Sequence, residues 1–375
     1  MRIAGLLLLA AGCSSGAKAD GDGFVPLFNG RDFSGWVRVN CAPETFRVED
    51  GIIKSTGKPT GVMRTERMYE NYVIELDWMH LKKGGNAGLF VHSGAFPAKG
   101  TPFTKGHEIQ VLDGDSPEGI WTGHGDVFSI HGATFEPDRK HPKGWMRCLP
   151  SEKRANPFGQ WNHYRVTVND GAIKLEVNGK EVSGGTKCNP RKGYICLESE
   201  GSECHFRNIR IKELPSTNPP ESEIAEADQG FKSLYTGLDL RGWKAHGDGE
   251  SPWKAKDWVL EYDGKGEPKL SSESSYRNFI LRFDWRATGK GAIGPSLCVR
   301  MQEGGIRGRL FGLKPPAKLR EWIRTEIRVE GNRITVMRGN ELESEETPAM
   351  PDSGHFCLLP TEATQFANLF IKELD

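Results

Sequence analysis

The chain has 375 residues, and its 50 basic side chains balance its 50 acidic ones. This balance leaves no basic footprint, so the sequence argues against nucleic acid as a partner. Beyond the N-terminus, no stretch approaches the roughly 18–20 consecutive apolar residues that a membrane-spanning helix requires.

The N-terminus has the pattern of an export signal. Arg2 precedes a run of leucines at 6–9, and small residues lead from there into Cys13. This arrangement resembles the lipobox of bacterial lipoproteins, which implies that Cys13 becomes the acylated N-terminus. We therefore expect residues 1–22 to be a lipoprotein signal and tether. The protein would be an exported bacterial lipoprotein, periplasmic or anchored to the cell envelope, touching the membrane only through its N-terminal lipid anchor. An ordinary cleaved signal peptide is the alternative.

Four motifs occur twice in the rest of the chain. Residues 24–36 (FVPLFNGRDFSGW) recur at 231–243 (FKSLYTGLDLRGW), 71–78 (NYVIELDW) at 278–285 (NFILRFDW), 160–168 at 321–329, and 206–214 at 366–374. The offset shrinks along the chain, so about 46 residues between His92 and Trp161 have no counterpart in the second copy. Residues shared by both copies are expected to support the fold. Chemistry confined to the extra segment is expected to serve function.

The apolar pattern has a period of two throughout. In the stretch 72–78, Tyr72 and Trp78 fall on one face of a predicted strand, and Glu75 and Asp77 fall on the other. Another alternating stretch, 173–177, ends in the Asn-Gly pair at 178–179, which is a strong signal for a two-residue hairpin turn. Many short alternating strands with Gly- and Asn-rich turns predict an all-β fold built of sandwiches.

Composition also predicts the domain boundaries. Residues 215–229 are rich in proline and acidic groups and almost free of large apolar side chains, as is typical of a linker. We therefore expect a first domain at 23–214, a linker at 215–229, and a shorter, degenerate and non-catalytic second copy at 230–375.

Five stretches of the first copy carry a family resemblance. They are 26–36 (PLFNGRDFSGW), 85–91 (GNAGLFV), 106–113 (GHEIQVLD), 159–165 (GQWNHYR) and 206–212 (FRNIRIK). Together they resemble the 3-keto-disaccharide hydrolase family, also described as 3-keto-α-glucoside-1,2-lyase/3-keto-2-hydroxy-glucal hydratase. The resemblance spans the first copy in order, whereas the second copy keeps only the shared motifs. It implies a concanavalin A-like jelly-roll sandwich in each copy and a 3-keto-glycoside or oligosaccharide substrate.

Strand alternation places polar side chains together in the extra segment. If Ile109 and Val111 face the core, Glu108 and Gln110 share the opposite face. The same reasoning on 86–92 turns three side chains outward: Asn86, Phe90 and His92. A carboxylate, amides, an imidazole and an aromatic ring in one groove suit a sugar.

The reaction implied by the resemblance assigns roles to these residues. A base removes the C2 proton beside the C3 ketone, the enolate expels the group at C1, and water later adds across the double bond. We expect the catalytic acid and base among Glu108, His92 and His131. Substrate binding is expected from Asn86, Phe90, Lys105, Gln110 and Asp113. The sequence makes no cofactor certain, and a divalent metal ion held by Glu108, Asp113 or a nearby histidine could replace the donor that stabilises the enolate.

Two other functions fit the same residues. A non-catalytic, lectin-like glycan-binding lipoprotein would use the same groove without turnover, because this fold supports both roles. A conventional glycoside hydrolase would need a second carboxylate facing Glu108, and the sequence offers none that can be placed there.

Overall fold

A computed structural model describes residues 21–114, 124–304 and 308–375. The predicted signal sequence and Cys13 lie outside the described residues. Within these ranges the regular elements are strands, apart from one short 3₁₀ turn at Glu221–Glu223. No helix in the described part of the chain is long and apolar enough to cross a bilayer. The fold is all-β, as predicted, and consists of two jelly-roll sandwiches.

In its described residues, 21–114 and 124–213, the first sandwich contains sixteen strands. They are β1 (Val25–Pro26), β2 (Trp36–Arg38), β3 (Phe46–Glu49), β4 (Ile52–Ser55), β5 (Gly61–Thr65), β6 (Tyr72–His80), β7 (Asn86–Ser93), β8 (Gly106–Leu112), β9 (Val127–Ile130), β10 (Thr134–Pro137), β11 (Arg147–Cys148), β12 (Asn162–Asn169), β13 (Ala172–Val177), β14 (Lys180–Asn189), β15 (Tyr194–Ser199) and β16 (Cys204–Glu213).

The second sandwich contains thirteen strands within the described residues. They are β17 (Lys232–Ser233), β18 (Trp243–Ala245), β19 (Trp253–Lys256), β20 (Val259–Tyr262), β21 (Leu270–Ser272), β22 (Asn278–Ala287), β23 (Ser296–Met301), β24 (Arg309–Gly312), β25 (Ile323–Glu330), β26 (Arg333–Arg338), β27 (Glu341–Glu346), β28 (His355–Leu359) and β29 (Thr364–Leu374).

The two sandwiches have corresponding strand orders. In the first, one sheet runs β10-β14-β13-β12-β6-β16-β4-β3, with β1 beside β16, and the other runs β11-β9-β8-β7-β15-β5-β2. In the second, one sheet of eight strands runs β27-β26-β25-β22-β29-β20-β19, with β17 beside β29, and the other runs β24-β23-β28-β21-β18. Strand β24 fills the place of β8, and β9, β10 and β11 are the strands without a counterpart. The extra segment therefore widens both sheets of the first sandwich.

Alternation builds the core of the first sandwich as predicted. Tyr72 and Trp78 of β6 are buried between the two sheets, together with Ile74 and Leu76. On the opposite face of β6, Asp77 forms an ion pair with His163. The predicted hairpin is also confirmed, because Asn178 and Gly179 both adopt positive φ angles, of 48° and 83°.

The linker is held by contacts rather than by its own secondary structure. At its start, the Glu70 carboxylate accepts hydrogen bonds from the backbone N–H of Thr217, at 2.8 Å, and from its hydroxyl, at 2.7 Å. At its end, Asp228 pairs with the buried Arg64 at 2.7 Å. Between them, Glu226 pairs with Arg282 of the second sandwich at 3.0 Å. The linker thus connects the two sandwiches through charged contacts along its length.

Candidate active site

The candidate site lies on the outer face of the seven-stranded sheet, away from the core. Strands β7 and β8 are antiparallel neighbours, with Phe90 opposite Glu108 and Gly88 opposite Gln110. Ile109 is fully buried in the core cluster, so Glu108 and Gln110 face outward as predicted. Period-two alternation therefore predicted the direction of these two side chains correctly.

Strand β15 brings two further carboxylates to the same face. Its Leu197 pairs with Leu89 of β7, which places Glu198 beside Gly88. A Cβ atom at Gly88 would lie 2.9 Å from Oε2 of Glu198 and 3.0 Å from Oε1 of Glu108. The missing side chain therefore leaves room for the two carboxylates to approach each other from either side. We call Glu108, Glu198 and Glu200 the carboxylate cluster.

Burial keeps protons on the carboxylate cluster. Glu108 and Glu198 are 7% and 1% exposed. Burial raises the pKa of Glu108 well above its ordinary value, and the nearby Glu200 carboxylate raises it further. The pKa of Glu198 is raised in the same direction by burial, then by Glu108 and Glu200. Because neighbouring buried carboxylates cannot all ionise, the cluster can offer an acid and a base at the same pH.

An amide chain orients one edge of the cluster. Asn86 donates a hydrogen bond from Nδ2 to Oε2 of Glu200, and Gln110 donates from Nε2 to Oδ1 of Asn86. Gln110 also donates to the carbonyl of Ala87 at 3.3 Å. The structure thus brings together Glu108, Gln110 and Asn86, three of the residues predicted to form the site.

A cation completes the opposite edge. Arg147 of β11 stands opposite Phe128 of β9, and its guanidinium carbon lies 3.6 Å from the centroid of the Phe128 ring. It pairs with the buried Asp126 at 3.5 Å and lowers the pKa of Glu108 against the effect of burial. A guanidinium here can stabilise negative charge that develops on a substrate oxygen.

The sequence contained a signal for the residues that were missed. In the second copy the stretch matching Glu198 and Glu200 reads Leu359-Pro-Thr361, so the two carboxylates are confined to the first copy. Only the apolar positions of residues 193–200 recur in the second copy. Comparing the copies position by position would have identified both acids.

His92 does not join the carboxylate cluster, which corrects the prediction that it faces outward. It adopts a positive φ of 51° at a register shift between β7 and β15, so it leaves the alternation of the strand. Its ring packs edge-on against Tyr72 and His107 inside the sandwich, and Nε2 donates to the carbonyl of Glu70 at 2.9 Å. Burial lowers its pKa to about 3.

The second sandwich has the same bulge, with Arg300 in place of His92. Arg300 has a φ of 53° at the matching register shift and donates from Nε to the carbonyl of Arg277 at 2.8 Å. Arg277 and Glu70 both immediately precede the shared Asn-aromatic motif. The contact made by His92 therefore belongs to the frame common to both sandwiches.

The remaining predicted residues lie outside the cluster. Lys105 and His131 line a separate cavity of about 290 Å³ beside the linker. Asp113 is fully buried, and its Oδ2 accepts a hydrogen bond from the backbone N–H of Gly84 at 2.8 Å, so it fixes a turn. Phe90 is on the predicted face but is fully buried, with its ring 6.2 Å from that of Phe103. Asp113 and Phe90 are thus closed to a sugar, whereas Lys105 and His131 are exposed but line a different cavity.

The described residues provide no ready metal site. Within ranges 21–114, 124–304 and 308–375, no three His, Cys, Asp or Glu side chains are grouped so that they could hold a metal ion. Glu108 and Asp113, suggested as joint ligands, are not brought together, because Asp113 is committed to the turn at Gly84.

Comparisons with known proteins place the first sandwich among sugar-related proteins. The family described as the 3-keto-alpha-glucoside-1,2-lyase-like domain matches residues 23–212, about half of the chain. A 3-keto-disaccharide hydrolase of Bacteroides thetaiotaomicron is 23% identical over 247 residues, which cover 52% of this chain and 80% of that protein.

Solved structures show weaker similarity. A protein of Parabacteroides distasonis, provisionally named a glycosyl hydrolase, is 26% identical, with 52% of this chain and 95% of that chain covered and a TM-score of 0.41. A carbohydrate-binding module of Bacillus subtilis is 13% identical, with 48% and 96% covered and a TM-score of 0.34.

The placement of His92 predicts a structural phenotype. His92→Ala is expected to lower the free energy of unfolding by about 2–4 kcal/mol, because it removes a buried ring and leaves the Glu70 carbonyl without this donor. Turnover per folded molecule should stay within about threefold of wild type. His92→Asn, which tolerates positive φ, serves if the alanine variant does not fold. Urea unfolding and active-site-normalised turnover test this; a hundredfold loss in a folded variant would restore a catalytic role.

The raised pKa of Glu198 predicts how stability depends on pH. Above the ordinary glutamate pKa and below the raised one, the folded protein binds more protons than the unfolded chain, so unfolding becomes easier as pH rises. Glu198→Gln removes this effect. We compare the melting temperature of the variant minus that of wild type at two pH values. This difference should be about 2–4 °C larger at about pH 8 than at about pH 5. Glu181→Gln, at an exposed position, should show no such trend. Parallel melting curves for all three proteins would contradict the assignment.

Proposed function

Because the chain belongs to the 3-keto-alpha-glucoside-1,2-lyase-like family, we propose that it is a carbohydrate-active enzyme that cleaves 3-keto-glycosides by elimination and hydration at the carboxylate cluster. The observation that carries the proposal is the approach of Glu108 and Glu198 across Gly88, next to Arg147. An elimination of this kind needs a base, an acid and a group that stabilises an enolate, and these side chains supply one of each.

The chemical steps follow from the C3 ketone. An ionised carboxylate, Glu108 or Glu198, takes the proton from C2, and the electron pair moves toward the C3 oxygen to form an enolate. Arg147 offers its positive charge to that oxygen. The enolate then collapses, the bond from C1 to the leaving oxygen breaks, and a protonated carboxyl of the cluster gives that oxygen its proton. The products are the free alcohol and 3-keto-2-hydroxy-glucal.

Hydration returns the site to its starting state. Water adds its hydroxyl group to C1 and a proton to C2, which gives a 3-keto sugar and makes the net reaction a hydrolysis. The cluster can serve both stages, because each transfers one proton in each direction between substrate and carboxylates. Asn86 and Gln110 present amide groups at the same edge and are proposed to bind sugar hydroxyls.

The second sandwich lacks the side chains of the carboxylate cluster. By strand register, Leu310 and Gly312 stand where Glu108 and Gln110 stand in the first, and Leu359 takes the place of Glu198. We therefore propose that residues 23–214 form the catalytic domain and residues 230–375 a degenerate, non-catalytic repeat of it.

One observation favours a second candidate function. Conventional glycoside hydrolysis needs two carboxylates on either side of the scissile bond, and Glu198 supplies the partner for Glu108 that the sequence did not reveal. The two mechanisms differ at C2, because only elimination breaks and remakes the C2–H bond.

The decisive measurement is hydrolysis of a 3-keto-glucoside such as 3-keto-trehalose in D₂O, beside the corresponding unoxidised disaccharide. Elimination predicts turnover of the keto substrate alone, with deuterium appearing at C2 of the product. Glu108→Gln should lower kcat/KM by about 10²–10⁴-fold. The control Glu136→Gln alters an exposed carboxylate on β10 and should leave it unchanged. Cleavage of the unoxidised sugar without deuterium at C2 would indicate the two-carboxylate mechanism. Saturable binding without turnover of either sugar would indicate a lectin.

We also propose export through the lipobox-like sequence ending at Cys13, on the support of the N-terminal residues alone. Cys13→Ala should abolish incorporation of labelled fatty acid and release the protein from the membrane fraction of a bacterial host. Unchanged membrane association of the variant would contradict lipid anchoring. Secretion of a shortened but unlabelled wild-type protein would indicate an ordinary signal peptide.

A further inference from the structure

A loop of the first sandwich is inserted against the second. Residues 94–105, which we call the rim loop, connect β7 to β8; the matching connection in the second sandwich, between Met301 of β23 and Arg309 of β24, is shorter. Within the rim loop, Ala98 and Phe103 are joined by a backbone hydrogen bond of 2.8 Å, so its tip is a closed turn. The tip meets the outer face of the eight-stranded sheet of the second sandwich.

Gly100, at the tip of the rim loop, lies directly against the second sandwich. Its backbone N–H donates to Oδ2 of the fully buried Asp284 at 2.9 Å. A Cβ atom at Gly100 would lie 2.4 Å from the indole ring of Trp322, and φ is 71°, in the region that favours glycine. The position therefore requires both the close approach and the backbone conformation of glycine.

Two more side chains of the second sandwich bind the backbone of the tip. Asn368 and Arg324 donate to three backbone carbonyls of the tip. The contacts are Asn368 Nδ2 to Ala98 O at 3.3 Å and to Thr101 O at 3.0 Å, and Arg324 Nη2 to Pro97 O at 2.8 Å. Asn368 and Arg324 also donate to Asp284, at 2.7 Å and 2.8 Å, which fixes all three side chains as one unit. Buried carbonyls and amides of a loop need such partners.

The first sandwich shows what this surface looks like when it receives no loop. There Asp77 and Trp161 occupy the corresponding positions, and Arg207 covers both. Its guanidinium carbon lies 3.8 Å from the centroid of Trp161, and its Nε donates to Asp77 at 3.2 Å. In the second sandwich the matching residue is Ala367, which leaves the aspartate and the tryptophan open to Gly100. The surface of the second sandwich is therefore specific for the rim loop.

The rim loop also reaches the candidate site. Beyond its tip, the ring of Phe103 packs edge-on against Phe90 at 6.2 Å, and Phe90 is the cross-strand neighbour of Glu108. The carbonyl of Pro102, next to Phe103, accepts from Nδ2 of the buried Asn40 at 2.8 Å. Movement at the tip would therefore shift Phe103, which contacts Phe90, the neighbour of Glu108.

We propose that the second sandwich is a positioning module for the first: Asp284, Asn368 and Trp322 hold the rim loop, and the rim loop holds Phe103 and Phe90 as the dry wall beside Glu108. This inference rests on the proposed function for its catalytic consequence, but not for the contact itself. Asp284, Asn368 and Trp322 are positioning residues, because they touch no residue of the carboxylate cluster.

Hydrogen exchange of the full chain tests the contact without any substrate. Gly100→Ala should speed amide exchange in residues 97–104 by about tenfold or more, because the added methyl cannot fit against Trp322. Asp284→Asn, in the second sandwich, should also speed exchange in the rim loop, since it replaces a carboxylate oxygen that accepts by an amide group that donates. The matched control is Gly94→Ala in the same loop, where a Cβ atom would lie 3.8 Å from its nearest neighbours and φ is not positive. It should exchange like wild type.

Kinetics on the 3-keto-glucoside test the consequence. Gly100→Ala and Asp284→Asn should lower kcat by about tenfold to a hundredfold with little change in KM, because ground-state binding groups remain while the wall beside Glu108 loosens. Exchange at wild-type rates in both variants would overturn the proposal, and so would faster exchange with unchanged kcat. Absence of turnover in wild type would instead defeat the proposed function, and faster exchange in the variants would still support the clamp on the rim loop.

Discussion

The approach of two buried carboxylates across a glycine is the contact on which the site depends. Isolated from water, Glu108 and Glu198 oppose each other's ionisation, so the contact itself stabilises nothing. It persists because β7, β8 and β15 are fixed in register by the core on their inner face. The absence of a side chain at Gly88 allows the approach. The sandwich thus supplies the rigidity, and the site uses it to keep an acid beside a base.

Comparing matching positions of the two sandwiches distinguishes residues that support the fold from residues of the carboxylate cluster. Both sandwiches keep the bulge that holds His92 in one and Arg300 in the other, although imidazole and guanidinium share little chemistry. At the cluster the opposite holds, since Leu310 and Leu359 replace the two acids on strands of the same register. A position that accepts either a neutral imidazole or a guanidinium while keeping its backbone contact is serving the fold. A position that is an acid in one sandwich and leucine in the other is not required by the fold.

Alternation predicted the fold and the outward direction of Glu108 and Gln110, and it failed where the backbone departs from alternation. The core face of β6 and the outward direction of Glu108 follow directly from period two. His92 was assigned to the wrong face because one residue with positive φ reverses the side of every residue after it. Phe90 was placed on the correct face, yet its burial depends on a loop distant in space that no local pattern reveals. Glu198 was missed because its strand resembled the frame.

The exclusion of water from Glu108 connects these observations. The pKa of Glu108 is raised first by burial, so the acid exists only while water is kept from it. On the side of β7 that barrier is Phe90 under Phe103, and Phe103 follows a loop tip bound by Asp284. A single sandwich would leave the rim loop without its side-chain donors Asn368 and Arg324, and the Phe103–Phe90 pair without this support. The second sandwich has lost the acids but kept the aspartate, and its Ala367 opens that aspartate to the loop. The proton on Glu108 therefore depends in part on a domain that contacts no carboxylate of the cluster.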